Sequence, residues 1–143
     1  MAHWQHYEHE ADIGVEGTGT NKEDAFVQAA LALTAVITEP ENVASESKIE
    51  IICEAPNDEL LFVDWLNALI YEMADRKMLF SRFDVELTSQ PAHASSLHAN
   101  VWGEKIDQAR HQPVVEIKGA TYTTLQVYED NDHIWHAQTV VDV

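Results

Sequence analysis

Acidic groups near the two ends of this 143-residue chain are the first candidates for chemistry. Asp12 lies inside "HEADIGVEG", His9 to Gly17, and the chain closes on "TVVDV", where Asp142 and the carboxylate of Val143 stand on adjacent residues. If the last strand lies beside the first, the three carboxylates form one cluster of hard oxygen donors. Such a set suits calcium, magnesium or manganese and not zinc or copper. If the strands are apart, "TVVDV" ends as a frayed acidic tail. His9 fits better as a neighbour supporting Asp12 than as a ligand.

The other candidates each have a plainer explanation. Asp64 stands between Val63 and Trp65 in an apolar helix, with Asn67, Tyr71 and Asp75 on nearly the same line. As a buried carboxylate it must be hydrogen-bonded or paired, so it is either a structural acid or faces a partner or metal. His3, His6 and His9 recur every third residue, as do His133 and His136, but residues three apart on a strand point to opposite faces and do not converge on one zinc ion. Gly14 and Gly19 stand at phosphate-loop spacing, yet the Lys-Ser/Thr pair that should follow is replaced by Thr20-Asn21, so the glycines at 14, 17 and 19 read as turn residues. Cys53, the single cysteine, alternates with polar neighbours in "KIEIICE" as a strand thiol and excludes an internal disulfide.

The whole composition limits the partners. Eight basic residues against 25 acidic give a formal charge of -17, which repels a phosphate backbone; no direct nucleic-acid binding is expected, whereas a cation or a basic protein partner fits. Hydrophobic residues make up 45% of the chain, enough for one folded domain without metal or disulfide staples. The first ten residues, "MAHWQHYEHE", lack the basic and apolar regions of a secretion signal, and no uncharged run around the first helix reaches the roughly 20 residues of a membrane crossing. The expected location is the cytoplasm.

The elements that must position these residues follow from periodicity. "HWQHY" and "IGVEG" read as strands on either side of a turn. A capping pattern at Thr20 and Glu23 opens a helix over residues 21–37, and Pro56 and Asn57 open a second, "DELLFVDWLNALIYEMADR", apolar over most of its circumference and expected well inside the domain. "SKIEIICEA" alternates as a strand between them. After Lys77 come "FSRFDVEL", "SSLHANVWG", "TYTTLQVYE" and "HIWHAQTVVDV" with period two, joined by turns at "TSQPAHAS" and "EDNDH" and by the longer connection "EKIDQARHQPVVE". This order predicts a single α+β domain with two helices packed on a largely antiparallel β-sheet.

In "HEADIGVEG", "EDAFVQAALAL", "DELLFVDWLNALIYE", "LFSRFDVEL", "WGEKIDQARHQPVVEIKGATY" and the terminal "VVDV", taken together and in order, the chain resembles the archease family over nearly its whole length. The resemblance implies an accessory protein of the RtcB-type RNA-splicing ligase, one that promotes guanylylation of the ligase and lets it turn over repeatedly without being a ligase itself. It also implies a bound divalent cation, most simply calcium, with magnesium and manganese the alternatives, held by Asp12, Asp142 and Val143. Asp64, Glu104 and His111 lie in matching segments and are the further partner-facing or supporting positions, with His9. The chain departs from the family where Glu10 replaces the usual Thr, Gly119 the usual Ala and Thr123 the usual His. Competing readings are a stand-alone metal-dependent hydrolase using the Asp12 cluster, and a general chaperone of RNA-modifying enzymes.

Overall fold

A computed structural model describes residues 2–89 and 94–143. The chain opens as a hairpin of β1 (His3–His9) and β2 (Asp12–Gly19), joined by Glu10 and Ala11, with Glu10 in the left-handed region at φ 54°. The expected turn glycines are therefore misplaced: Gly14, Gly17 and Gly19 all lie inside β2. Gly17 is there for close approach. A Cβ at that position would overlap the Ala25 carbonyl and the Ala29 nitrogen, so its absence lets a helix backbone lie directly on the strand.

That helix is α1 (Lys22–Ile37), capped by Asn21, whose Oδ1 accepts from the Asp24 N–H at 2.8 Å. The cap is Asn21 and not the Thr20–Glu23 pair, but the start shifts by one residue only. α1 is buried on most sides because it lies between two sheets. Its Ala25 and Ala29 meet β2, and Thr34 Oγ1 donates to the Phe80 carbonyl of β4 (Met78–Ser89) at 2.7 Å. α2 (Asp58–Arg76) starts at the expected place, with Asn57 accepting from the Leu60 N–H at 2.9 Å, and stops at Lys77 in the left-handed region at φ 55°. Trp65 ties the helices together by donating from Nε1 to the Phe26 carbonyl at 3.1 Å. α2 is apolar over most of its circumference as expected, but the line through Asp64, Tyr71 and Asp75 is exposed, so the helix presents one stripe outward and is less enclosed than expected.

The remaining elements are β3 (Ser47–Ala55), β5 (Ser95–Lys105), the single turn α3 (Gln108–His111), β6 (Gly119–Ala120), β7 (Gln126–Glu129) and β8 (Trp135–Asp142). The α+β class stands, but the strands form two antiparallel sheets: β1-β2-β8-β6, with β7 also pairing β8, and β3-β5-β4. "TYTTLQVYE" is a strand only from Gln126, and "EKIDQARHQPVVE" contains α3. The expected turn in "TSQPAHAS" falls partly on residues 90–93, outside the described residues. One core runs from α1 and α2 into both sheets, with Trp65, Phe26, Phe62 and Phe80 as its largest fully buried side chains. Among the described residues no helix is long and apolar enough to cross a membrane.

Candidate cation site at the joined strand ends

β2 pairs with β8 from Ile13↔Val141 to Gly19↔Trp135, which sets the start of β2 against the end of the last strand. Alternation puts Val15 and Ala137 on the helix side, fully buried, and Asp12 and Asp142 on the other side of their strands from Ile13 and Val141. The contact between the two ends is direct: the Val143 N–H donates to Asp12 Oδ1 at 3.5 Å, across 131 positions of sequence. His9 is the cross-strand partner of Asp12, so it borders the same place. Asp12, Asp142 and Val143 are all half-buried.

The far side of β8 is held by β6. Gly119 pairs with Asp142, the Lys118 N–H donates to the Asp142 carbonyl at 2.8 Å, and Asn67 of α2 accepts from the Ala120 N–H at 2.8 Å. Asn67 and Lys118 thus position the end of β8, and periodicity offered no sign of it beyond Asn67 lying on the Asp64 line. A methyl group at Gly119 would find its nearest neighbour, Asn67 Oδ1, at 3.6 Å, so the usual alanine would fit there too. Thr123 works through its backbone: its carbonyl accepts from the Val140 N–H and from Thr139 Oγ1, each at 3.2 Å, contacts that a histidine would keep.

Among the described residues neither Asp12 nor Asp142 is held in an ion pair. No group of three or more His, Cys, Asp or Glu side chains is arranged as a metal site among those residues. The strand register makes Asp12 and Asp142 neighbours, and the one direct contact between the two ends is the Val143 N–H on Asp12. Carboxylate oxygens such as those of Asp12 and Asp142 are the donors that a hard divalent cation takes.

Glu104 and His111 lie elsewhere, together and buried. Glu104 receives the Arg110 guanidinium on both oxygens at 2.6 Å, the Ala44 N–H at 2.6 Å and His111 Nε2 at 3.0 Å. The His111 ring accepts from the Asp107 N–H through Nδ1 at 2.9 Å, which leaves Nε2 to donate to Glu104. The Arg110 hydrogen bonds, aided by Ala44 and His111 against the opposing effect of burial, hold the Glu104 carboxyl down at about 2. This cluster binds the α3 turn to the segment before β3, with the Glu104 and His111 side chains buried and Arg110 half-exposed. Asp64 is exposed on α2, and after burial it is the second influence that pushes the Cys53 thiol up to about 11.

The histidines divide between faces as strand alternation requires. His3 Nδ1 meets Thr18 Oγ1 at 2.8 Å, while His6 Nε2 donates to the Ala32 carbonyl of α1 at 2.7 Å. A site that sequence reasoning missed is centred on His136, whose ring lies between Asp130 (2.7 Å) and Glu16 (3.3 Å) and stacks on Tyr128 at 4.7 Å. Burial opposes its charged form, but the hydrogen bonds and charges of Asp130 and Glu16 together raise its pKa above the usual histidine value.

Fold and site together define a class: a two-sheet α+β protein whose second and last strands pair, setting Asp12 beside the end of the last strand. A profile of the Archease protein family matches residues 4–143, and the chain belongs to that family. It is similar to Protein archease of Pyrococcus furiosus, 35% identical over 143 residues and covering all of both chains. It is likewise similar to Protein archease of Methanosarcina mazei, 36% identical over 140 residues, 98% of this chain and 95% of the relative. In structure it matches the solution structure of Methanobacterium thermoautotrophicum protein 1598 with a TM-score of 0.84 over 98% of each chain; at 24% identity that likeness speaks for the fold.

Proposed function

We propose that this protein is an accessory factor of an RtcB-type RNA ligase, promoting its guanylylation and repeated turnover, and that it works through a divalent cation bound by Asp12, Asp142 and the Val143 carboxylate. Membership of the archease family supports the role, and the Val143 N–H on Asp12 Oδ1 is the observation that carries the cation site. Calcium is the first choice, with magnesium or manganese as the other hard ions. A bound cation would offset the repulsion between carboxylates, and the chain's own residues fix the geometry: His9 borders Asp12 across the hairpin, while Lys118 and Gly119 hold Asp142.

The formal charge of -17 gives the proposal its docking physics. A ligase site that handles RNA ends, nucleotide and metal is positive, so an acidic protein is steered to its mouth, and the rate of association should fall steeply as salt rises. The deciding experiment is ligase turnover with and without this protein, using wild type, Asp12→Ala and Asp142→Ala. Activation by wild type alone is expected. Equal activation by all three forms would sink the cation mechanism, and substrate turnover by the purified protein without ligase would favour the hydrolase reading.

A further inference from the structure

α1 covers one face of the five-stranded sheet, and the register of the strands sets two neighbouring rows of residues on the opposite face. One row runs Tyr7, Gly14 and Val140 across β1, β2 and β8; the next, two residues along each strand, runs His9, Asp12 and Asp142. Two residues of strand separate the rows by about 7 Å. Val140 is only 2% exposed although it points away from α1, so this face has a cover of its own at that row.

The cover is Tyr7. A Cβ on Gly14 would come within 2.4 Å of three atoms of the Tyr7 ring, Cδ2, Cε2 and Cζ, so the ring lies directly on that glycine. Beyond it the hydroxyl reaches Thr124 Oγ1, a hydrogen bond of 2.5 Å across 117 positions of sequence. Thr124, in the left-handed region at φ 54°, belongs to the connection between β6 and β7. That connection is itself fastened to β8: the Thr124 carbonyl accepts from Gln138 Nε2 at 3.0 Å, and the Thr121 N–H donates to the Val140 carbonyl at 2.9 Å. Tyr7 thus straps the edge strand β1 over β2 and β8. Burial is the main influence raising its pKa, so the phenol is neutral and brings no charge toward the carboxylates.

We propose that Tyr7 is a positioning residue of the candidate cation site: its ring walls the Asp12 and Asp142 carboxylates on the side toward the middle of the sheet, and Thr124 holds it there. A neutral ring in that place keeps water from one flank of the donors, which strengthens their attraction for a cation. A ring already fixed by its strap also leaves less to be ordered on binding. This rests on the cation reading above and adds to it a residue that coordinates nothing and acts through Asp12 and Asp142.

The test is calcium affinity by calorimetry on the whole protein, with unfolding curves to confirm that each variant is folded. Gly14→Ala displaces the ring while keeping every proposed donor, and should weaken calcium binding by roughly tenfold or more. Tyr7→Phe keeps the ring and removes the strap, and should weaken binding by roughly threefold. Thr124→Val should match it, and adding Thr124→Val to Tyr7→Phe should cost nothing further. Thr124→Ser keeps the hydroxyl and should bind like wild type, a rescue that a general loss of stability would not show. Should Gly14→Ala melt early, the Tyr7 and Thr124 variants carry the test, because the bond they remove is exposed. Wild-type affinity in either Gly14→Ala or Tyr7→Phe, or Thr124→Ser as weak as Thr124→Val, would overturn the role of Tyr7 and leave the cation site standing. A wild-type protein that binds no calcium would overturn the cation site and this inference together.

Discussion

Replacing Glu104 by glutamine tests whether the buried ion pair at the α3 turn stabilises the fold. The carboxyl is 4% exposed and held at about 2, against an ordinary value of 4.5. At about 1.4 kcal/mol per unit the displacement corresponds to an upper bound of about 3 kcal/mol. Arg110, the main cause, is 46% exposed and partly screened by solvent, so the expected loss is about 1–2 kcal/mol. For a chain of this size that is a fall in Tm of roughly 3–7 °C near neutral pH. Because the folded value lies below the unfolded one, the stabilisation is complete above 4.5 and disappears as pH falls toward 2. Melts of wild type and Glu104→Gln from pH 7 to pH 2 should therefore converge across that window. A difference that stays constant down to pH 2.5, or no difference at pH 7, would refute the assignment of Glu104 as a stabilising carboxylate.

The remaining predictions address other parts of the fold. Gly17→Ala should cost about 2 kcal/mol or more in denaturant unfolding, because its methyl group meets the α1 backbone, while Gly119→Ala should be nearly neutral. His136 should titrate by NMR with a midpoint above 6.5; its contribution is fully present below that value and lost as pH rises through the raised one, and His136→Gln should remove this dependence. With its pKa pushed from 9.0 to about 11, Cys53 should carry on the order of a hundredfold less thiolate near pH 8 than a free thiol and should alkylate correspondingly slowly. Cation affinity measured with a C-terminal tag should drop, whereas an N-terminal tag should leave it unchanged; equal affinities would remove the Val143 carboxylate from the site.

What could be read from residues alone was local. Pro56 and Asn57 mark the start of α2 because proline cannot continue a strand ladder and asparagine caps a helix, and the structure starts the helix at Asp58. Gly17 was misread as a turn residue because its reason is α1 lying on the strand, a contact between elements that no window of sequence contains. Asp64 was expected to be buried because Val63 and Trp65 flank it, but helical neighbours point about 100° apart, and only packing shows which way the polar stripe faces. The division of the strands into two sheets was likewise set by partners far apart in sequence. The three proposed cation donors could be chosen by type, but whether the two ends lie together is decided by the β2–β8 register. The contact of His136 with Glu16 depends on that same register, and the ties from Asn67 and Lys118 depend on β6 meeting α2 and the other side of β8.

The place of β8 in its sheet bears on how the fold closes. β2, β6 and β7 all pair with this one strand. Until β8 docks, β1 and β2 can form only a hairpin within that sheet, and the side of α1 that rests on β8 stays open to water. Long-range pairing of this kind closes slowly. Asp12 and Asp142 therefore become neighbours only in the step that completes the sheet, whatever the rest of the chain has already formed.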